Sequence, residues 1–404
     1  MLSPASWRTF AVPALLSLLV LLSACSSTPE QPARETVRVA LYNVWELSTD
    51  KLDEVDDHGV GQNEQLVAAA DIIQRIRPDV LVLQEIDHDY DALDNGEDRI
   101  LTARQFIERY LDQGEDAYTF AHVFAAPCNT GILAGEDFDN DGHVATEADR
   151  HTRQYGGDCY GYGEYPGQYS MAVLSNLPLD TAQVRTFQHF LWRDLPDHVI
   201  PSRWYTIPEI QQFRLSSKSH WDIPLLTAGE PIHLLVSHPT PPVFDGPEDR
   251  NGRRNYDELR MWVHYLDNDN VLVDDNGVRG GLPENASFVL AGDLNAGPTG
   301  DTLSTGQRAI DQLLLHSRIH DCGDILTSQG ALRGRPAGPP NHFERNTTGF
   351  GDHGMRIDHL LPSTDLEIVD GGVFWPDSTV DPDGAALAET ASDHRLLWLD
   401  IKVK

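Results

Sequence analysis

The sequence predicts a layered α/β (α+β) fold in which short buried strands alternate with helices. Several short apolar runs are bounded by Gly, Pro or polar residues, a pattern typical of buried strands. Longer segments between them carry apolar residues at helical spacing. Elements that alternate in this way pack as layers around a core. No clear boundary interrupts residues 37–404, so we expect one domain with long insertions.

The predicted elements follow one another along this span. The strands are predicted at residues 37–43, 79–84, 170–175, 232–237, 288–291 and 396–401. The helices are predicted at residues 63–76, 100–111, 255–266 and 302–315. Asn63 is suited to cap the first helix, because its side chain can accept a backbone N–H of the first turn.

Two long irregular segments interrupt this pattern, at about residues 125–167 and 187–222. Both are rich in aromatic residues and show no regular periodicity. Loops of this length inside a compact domain are usually functional. We therefore expect these insertions to shape a substrate pocket.

The first 25 residues predict an export signal. Arg8 precedes an apolar run at residues 15–22, which is too short to span a membrane as a mature helix. The residues LSAC that end at Cys25 resemble a bacterial lipobox, in which Cys25 becomes the lipidated first residue; an ordinary signal peptide is the alternative. Residues 26–36 are polar and predict a flexible tether. We expect a protein exported to the bacterial cell envelope and anchored to a membrane, or otherwise secreted.

The chain is strongly acidic, since 63 Asp and Glu residues against 30 Lys and Arg residues give a formal net charge of −33. Such a chain repels polyanions at long range, which counts against a non-specific nucleic-acid binder. It does not exclude an enzyme that acts on phosphates through a bound metal ion, because the ion reverses the local charge. Most of these carboxylates are expected to serve solubility.

Polar residues follow several predicted strands, where a rigid sheet can fix side chains beside a ligand. Any one of them could be an ordinary strand end or a turn-forming residue, but the group together favours a site. Glu85, with help from other oxygen donors of the group, suits Mg²⁺, Mn²⁺ or Ca²⁺ better than zinc. The group consists of Asn43, Glu85, His238, Asp293, Asn295, Asp358, Asp393 and His394.

The residue types indicate phosphate chemistry. Asp293 and Asn295 share a face of an extended chain because they are two residues apart. Asp293 could orient or deprotonate a water, and Asn295 could donate to a phosphate oxygen. His394 can hold a proton near neutral pH, and a buried acid such as Asp358 would orient it. His238 is a second donor for the leaving oxygen or the phosphate.

Seven motifs occur in a characteristic order between residues 37 and 401. They are LYNVWEL (41–47), DVLVLQEI (79–86), GQYSMAVLSNLPL (167–179), LLVSHPTPP (234–242), FVLAGDLNAGP (288–298), MRIDHLL (355–361) and ASDHRLL (391–397). This ordered set resembles the endonuclease/exonuclease/phosphatase superfamily, which includes deoxyribonuclease I, exonuclease III-type enzymes, neutral sphingomyelinases and inositol polyphosphate 5-phosphatases.

The resemblance implies a four-layered sandwich, in which two mixed β-sheets pack face to face and helices flank them. It implies a Mg²⁺- or Mn²⁺-dependent hydrolase of phosphate esters, in which water attacks phosphorus in line. By the resemblance, Glu85 is the principal metal ligand, and Asn43 and Asp393 lie near the metal. Asp293 and Asn295 handle the water and the phosphate, and His394, paired with Asp358, contacts the scissile phosphate. His238 resembles the second histidine of the deoxyribonuclease I and inositol phosphatase branches.

One departure from the pattern concerns the second metal-shell carboxylate. Some DNA-repair relatives carry Asp two positions after the motif Asn, where this chain has Trp45, and Glu46 is expected to point to the other face.

The substrate stays open between nucleic acid and a small organic phosphate, such as an inositol phosphate or a phospholipid head group. The alternative to an enzyme is a surface binding module that kept the fold and lost catalysis.

The segment RLSSKSHWD at residues 214–222 concentrates basic residues in this acidic chain. Arg214, Lys218 and His220 are therefore candidate phosphate-binding residues, and Arg203, Arg253 and Arg254 are weaker ones. The alternative is an exposed strand whose polar groups are satisfied within the protein.

Two further predictions fall in the first insertion. Asp137, Asp139 and Asp141 stand at positions 1, 3 and 5 of a sequence that resembles a calcium loop, although Ala148 occupies position 12. A structural Ca²⁺ site and an acidic solvated loop are both compatible with this pattern. In an oxidising compartment Cys128 and Cys159 could form a disulfide that leaves Cys322 free.

Overall fold

A computed structural model describes residues 1, 35–88, 98–244, 246–299, 303, 306–351 and 353–403. The predicted signal peptide, including Cys25, and nearly all of the predicted tether lie outside the described residues. Among the residues that are described, no helix combines the length and apolarity needed to cross a bilayer.

The strands form two sheets. They are β1 Thr36–Leu47, β2 Val80–Ile86, β3 His122–Phe124, β4 Ser170–Ser175, β5 Arg185–Thr186, β6 His220–Leu225, β7 Ile232–Ser237, β8 Ser287–Asp293, β9 Asp358–Pro362, β10 Ile368–Val373 and β11 Leu397–Lys402. The strand order is β10-β11-β1-β2-β4-β3 in one sheet and β5-β6-β7-β8-β9 in the other. Each sheet contains one parallel pair, β1 with β2 and β7 with β8, and is otherwise antiparallel, so both sheets are mixed.

The α-helices are α1 Thr49–Leu52, α2 Glu64–Ile76, α3 Leu101–Phe106, α4 Arg153–Gly157, α5 Ile207–Gln212, α6 Arg250–Leu266, α7 Asp311–Leu314 and α8 Pro382–Ala391. Of these, α4 and α5 belong to the two insertions, and the others pack on the outer faces of the sheets. A π-helical turn, Ile107–Leu111, continues α3. Asn63 caps α2 as expected, because its side chain accepts the N–H of Leu66.

Three apolar clusters hold these layers together. The central cluster joins side chains from the inner faces of both sheets, including Val39 and Val82 from one and Leu234 and Leu360 from the other. A second cluster packs α2, α3 and α8 on the first sheet, and a third packs α6 and α7 on the second. Burial of apolar surface in three successive interlayer spaces produces four layers. The predicted four-layered fold is confirmed.

The structure differs from the predicted elements in places where local pattern is a weak guide. The predicted helix at residues 302–315 is reduced to α7, Asp311–Leu314, within the described residues. Strand β6 lies partly inside the second predicted insertion, and all six of its residues are buried. Helix α6 begins at Arg250, five residues before its predicted start. Its first turn contains Gly252 and charged residues, which hid the boundary.

Candidate functional site

A cleft of about 1380 Å³ opens where strand ends of the two sheets meet. The predicted strand-end residues that line it are Glu85, His238, Asp293, Asn295, Asp393 and His394. Residues of the first insertion and of α6 extend its wall, including Arg153, Tyr162 and Arg254. This placement agrees with the expectation that an insertion shapes the pocket.

Asn43 joins the two sheets at the base of the cleft. Its Nδ2 donates to Glu85 Oε1 at 3.0 Å and to Asp293 Oδ2 at 3.1 Å. Its Oδ1 accepts the N–H of Trp45 at 3.1 Å. Because the Asn43 side chain is fully buried and donates to both carboxylates, it fixes their separation. The structure therefore places Asn43 as a support of the two carboxylates.

A backbone irregularity presents Glu85 to the cleft. The pairing of β1 with β2 shifts register between Asn43 and Leu47, and that of β2 with β4 shifts between Gln84 and Ile86. Glu85 itself has φ of 59°, which is rare for a residue with a side chain. Such bulges re-aim a side chain, and strained backbone of this kind is concentrated at functional sites.

Gln84 is a functional support that the sequence analysis missed. Its Nε2 donates to the carbonyl oxygen of Ser237 at 2.8 Å, and its Oε1 accepts the N–H of Asp293 at 2.6 Å. These bonds tie β2 to β7 and β8, immediately beside His238 and Asp293. The available signal was a polar residue at the end of the apolar run at 80–83, since buried amides are retained where both polar ends have partners.

Asp293 lies between two histidines. Its Oδ2 is 3.6 Å from His238 Nε2 and 3.7 Å from His394 Nε2. Its Oδ1 accepts the backbone N–H of Asn295 at 2.9 Å. The Asn295 amide donates to the carbonyl oxygen of Pro239 at 3.1 Å, which fixes this side chain at the cleft wall. Burial raises the pKa of Asp293 to about 7, although the charge of His394 opposes the rise.

His394 and Asp358 form the predicted pair. His394 Nδ1 lies 2.9 Å from Asp358 Oδ2, and Thr347 Oγ1 donates to the same oxygen at 2.6 Å. Asp358 sits opposite Asp293 in the β8–β9 register, so His394 meets both carboxylates. Burial disfavours the charged imidazole, but these carboxylates outweigh it and raise the pKa of His394 to about 10. The ring is therefore an imidazolium at neutral pH.

His238 is held in the opposite protonation state. Burial, together with the cations of Lys218 and His394, holds the pKa of His238 well below its ordinary value. Its Nδ1 is buried and forms no hydrogen bond among the described residues. Asp293, at 3.6 Å from Nε2, is the carboxylate that the structure places beside it. His238 is therefore a neutral imidazole with one ring nitrogen available to a ligand.

The site fits a divalent cation. Oxygen or nitrogen atoms of Glu85, His238 and Asp293 lie within 4.8 Å of one another. Burial raises the pKa of Glu85, and among the described residues no Lys or Arg forms a salt bridge with it. Asp393, outside this trio, has an Oδ1 without a hydrogen-bond partner, which lies 4.0 Å from His394 Nε2. Carboxylates desolvated in this way are stabilised by a bound cation, and oxygen donors of this kind suit Mg²⁺ or Mn²⁺.

The three candidate phosphate-binding residues separate in the structure. Lys218 lines the cleft, where its charge interacts with Glu258, Glu85 and Asp293, and burial lowers its pKa. Arg214 instead donates to Asn129 Oδ1 at 2.6 Å and lies over the ring of Tyr160. His220 contacts Ser216 Oγ at 2.6 Å and the carbonyl oxygen of Glu258 at 3.0 Å. Arg214 and His220 therefore serve as internal polar groups, outside the residues that line the cleft.

The structure changes one residue of the predicted calcium site, because Asp158 takes the place of Asp141 beside Asp137 and Asp139. Carboxylates of Asp137, Asp139 and Asp158 lie within 4.8 Å of one another. Asp141 is outside this trio, and its backbone N–H donates to both Asp137 and Asp139. Asp158 was missed because it lies beyond the local sequence pattern. Calcium binding here stays a prediction.

The predicted disulfide is wrong. Cys128, Cys159 and Cys322 are all free and buried. Cys128 packs in the central cluster between the sheets, whereas the Cys159 thiol donates to the carbonyl oxygen of Tyr155 at 3.2 Å. The spacing of two cysteines in one insertion does not fix the direction of their side chains, and these two belong to different local environments.

Comparisons with known proteins bear on the family and the fold of the chain. A profile described as the Endonuclease/Exonuclease/phosphatase family matches residues 40–394. The chain is similar to a solved endonuclease/exonuclease/phosphatase from Beutenbergia cavernae, with 17% identity, a TM-score of 0.51, and coverage of 92% of this chain and 72% of that one. A search of curated proteins found no match.

Two further solved structures are similar at lower scores. A family protein from Leptotrichia buccalis shares 13% identity over 91% of this chain and 100% of its own, with a TM-score of 0.47. A mannosyl-6-phosphatase from Bacteroides thetaiotaomicron shares 13% identity over the same fractions, with a TM-score of 0.44. Only the similarity to the Beutenbergia cavernae structure, with a TM-score of 0.51, bears on the fold, and at 17% identity it bears on the fold alone.

Proposed function

The chain belongs to the endonuclease/exonuclease/phosphatase family, and we propose that it hydrolyses phosphate esters of small organic molecules at the cleft. Enzymes of this family are divalent-metal-dependent phosphoesterases. One observation carries the proposal. Asn43 and Glu85 from one sheet converge with His238, Asp293 and His394, next to a buried lysine.

The proposed reaction is attack of water on phosphorus, with cleavage of the bond between phosphorus and the ester oxygen. Asp293 accepts a proton from the water, since Asn43 and the Asn295 N–H hold its carboxylate in place. His394, kept charged by Asp358, donates from Nε2 to a non-bridging oxygen of the phosphate. His238, as a neutral ring, donates a hydrogen bond to the ester oxygen, which takes up a proton from solvent and leaves as the alcohol. A divalent cation bound near Glu85 would add Lewis-acid stabilisation of the phosphate charge.

Lys218 supplies a positive charge from the wall of the cleft. Its side chain is only 7% exposed, and no salt bridge involving it occurs among the described residues. A lysine buried in this way without a direct carboxylate partner is costly unless an anion joins it. We propose that the anion is the scissile phosphate.

The charge of the chain supports a small substrate. A net charge of −33 repels a long polyanion, and this repulsion acts over roughly 10 Å at 0.1 M salt. A small phosphate ester meets mainly the local field of the cleft, where Lys218 and the metal provide positive charge. We further propose Mg²⁺ or Mn²⁺ as the metal, because the donors at the site are chiefly oxygen atoms.

The cellular location is proposed from the sequence alone. The apolar run at residues 15–22 and the lipobox-like ending at Cys25 support an exported protein anchored to a bacterial membrane. Mass spectrometry of the mature N-terminus from the membrane fraction tests this. A lipidated Cys25 is expected, whereas an unmodified terminus at another residue would contradict it.

The function is tested by hydrolysis assays with the purified protein and Mg²⁺, Mn²⁺, Ca²⁺ or EDTA. The substrates are plasmid DNA, a chromogenic phosphodiester, a chromogenic phosphomonoester and inositol hexakisphosphate. We expect release of product from a small ester, and its loss with EDTA, Asp293→Ala or His394→Ala. Cleavage of DNA that is faster than that of every small ester would identify a nuclease. Metal binding without turnover of any substrate would favour the non-catalytic binding module.

A further inference from the structure

A group of arginines extends the positive wall of the cleft away from the catalytic residues. Arg250 and Arg254 lie one turn apart on α6, and Arg153 belongs to α4 in the first insertion. All three line the same cleft as Lys218. These four cations gather in one cleft of a chain that has 63 acidic and only 30 basic residues.

The arginines are not neutralised by direct partners. Among the described residues no carboxylate forms a salt bridge with Arg153, Arg250 or Arg254. Asp139 and Glu248 also border the cleft, and the charge of Asp139 interacts with that of Arg250, but among the described residues no salt bridge joins either carboxylate to these guanidinium groups. The acidic surface therefore does not cancel the charge of the arginines by contact.

Arg254 is the most constrained of the three. It is 6% exposed, and its Nε and Nη2 donate to the carbonyl oxygens of Leu215, Tyr160 and Arg214. These neutral acceptors orient the guanidinium without removing its charge. Its Nη1 forms no hydrogen bond among the described residues, although the residue lines the cleft. A buried guanidinium with spare donors on a cavity wall is suited to bind an anion.

Lys218, Arg254 and Arg250 follow one another along the cleft, each close enough to the next for their charges to interact. Lys218 interacts electrostatically with Arg254, and Arg254 with Arg250, in each case as like charges. Glu258 supplies one negative charge beside Lys218 and Arg254, and its two oxygens also accept the N–H groups of Ser217 and Thr240, so it offsets only one of these three positive charges. Like charges one helical turn apart are destabilising, and burial increases that cost. A fold tolerates such an arrangement most readily where a ligand supplies the missing negative charge.

We propose that Arg254 and Arg250, with Arg153 at the rim, form a second anion subsite that binds a second phosphate group of the substrate. The scissile phosphate lies at Lys218 and the catalytic histidines, and the second phosphate lies farther along the cleft. The substrate class is then a small organic bisphosphate. This inference rests on the proposed function, because it places the two phosphates of one substrate in one cleft. A nucleic acid also carries successive phosphates, but the net charge of −33 favours the small molecule.

The test measures binding, so that it does not depend on turnover. The full-length chain with Asp293→Asn, which keeps an oxygen donor for the cation but no carboxylate base, is titrated calorimetrically in saturating Mg²⁺ with glucose 1,6-bisphosphate and with glucose 6-phosphate. We expect the bisphosphate to bind about tenfold or more tightly, as a charge-assisted contact to a second phosphate allows. Equal dissociation constants for the two sugars would overturn the proposal, even if the unmodified protein hydrolyses other esters.

Variants locate the effect. Arg153→Gln combined with Arg250→Gln should reduce the preference for the bisphosphate to about threefold or less, whereas the affinity for glucose 6-phosphate stays nearly unchanged. These two residues are chosen because Arg254 also holds three carbonyl groups, so its replacement could disturb folding. The matched control is Arg104→Gln with Arg279→Gln, which removes two exposed charges that do not line the cleft. An equal loss in the control would overturn the proposal.

A nucleic-acid arm separates the two sources of adjacent phosphates. An oligothymidylate of five nucleotides is titrated under the same conditions. We expect it to bind more weakly than glucose 1,6-bisphosphate. Tighter binding of the oligonucleotide, lost in the Arg153/Arg250 variant, would overturn the assignment to a small bisphosphate and assign the subsite to a nucleic-acid backbone.

Discussion

Individual side chains at the cleft work by bridging the two sheets. Asn43 donates to Glu85 and Asp293, and Gln84 joins Ser237 to Asp293. Each of these amides has partners at both polar ends, so each can be buried at low cost and can fix a separation. The catalytic carboxylates thus keep their positions through neutral donors, which leaves their negative charge for a cation.

Asn43→Asp tests this role of a neutral donor. The new carboxylate cannot donate, so two hydrogen bonds become contacts between buried negative charges. We expect the metal-free protein to lose about 2–4 kcal/mol of unfolding free energy. Urea denaturation with EDTA measures the loss, and Mg²⁺ should restore part of it. Equal destabilisation with and without the cation would contradict the placement of the metal beside Glu85 and Asp293.

The raised pKa of His394 implies that the free energy of unfolding depends on pH. Its pKa is raised to about 10 in the folded protein by Asp358 and Asp293, which outweigh burial. Its ordinary value is about 6.5, so the folded state binds the proton more tightly than the unfolded state does. This contribution is fully present below about pH 6.5 and is lost as the pH rises through about 10.

Denaturation of the metal-free protein between pH 6 and 10 measures this contribution. The free energy of unfolding should fall with rising pH across this window. The difference between the unmodified protein and His394→Gln should shrink over the same range. A difference that does not change with pH would show that His394 is not held as an imidazolium.

At the scale of elements, α6 fixes the loops that carry the site. Glu258 accepts the N–H of Ser217 at 2.6 Å and that of Thr240 at 2.7 Å. One turn earlier, the Asn255 amide donates to the carbonyl oxygens of Thr240 and Leu294. Since Lys218, His238 and Asn295 neighbour these bonded residues, the helix aligns three separate segments around the cleft.

Glu258→Gln tests the alignment. The new amide can accept one of the two N–H groups but turns its NH₂ towards the other, so one buried donor loses its partner. We expect a loss of about 1–3 kcal/mol in unfolding free energy, and kcat to fall by roughly tenfold or more. The control is Glu209→Gln, because Glu209 caps α5 away from the cleft. Equal effects of both changes on kcat would contradict the role of α6.

The local sequence pattern predicted some strands and helices correctly and others incorrectly. The predicted strands at 232–237 and 170–175 match β7 and β4 because apolar runs bounded by polar residues are a local property. The predicted helix at 302–315 shrinks to α7, since apolar spacing in a Gly-containing segment does not by itself stabilise a helix. Strand β6 was missed because its six buried residues include polar side chains whose partners are distant along the chain, such as Asp222, which pairs with His233 of β7 and accepts from Tyr265 of α6.

At the scale of the whole molecule, the cleft depends on both sheets together. One sheet supplies Asn43 and Glu85, and strands β7 to β9 of the other position His238, Asp293 and Asp358. The central cluster of side chains from both inner faces sets the distance between the sheets. A cation held by Glu85 and Asp293 would therefore act as a further link between the two halves of the sandwich.

Metal addition predicts a change in global stability. A ligand that binds only the folded state stabilises it by about 2.7 kcal/mol at a hundredfold excess over its dissociation constant. We expect Mg²⁺ to raise the Tm of the EDTA-treated protein by several degrees, as scanning calorimetry would show. Glu85→Gln should remove most of the increase, whereas Glu54→Gln, on the exposed surface, should leave it intact. An increase that survives Glu85→Gln would place the cation elsewhere.

The sequence by itself determined the family, the layered fold and the identity of most polar residues at the cleft. These properties are carried by local signals, namely apolar runs, their polar ends and the order of the motifs. Only the tertiary structure decided that Lys218 faces the cleft while Arg214 and His220 do not, that Gln84 bridges the sheets, and that Cys128 and Cys159 stay apart. Partners, burial and side-chain direction depend on segments that are distant along the chain, and the packing of the two sheets and α6 brings these segments together.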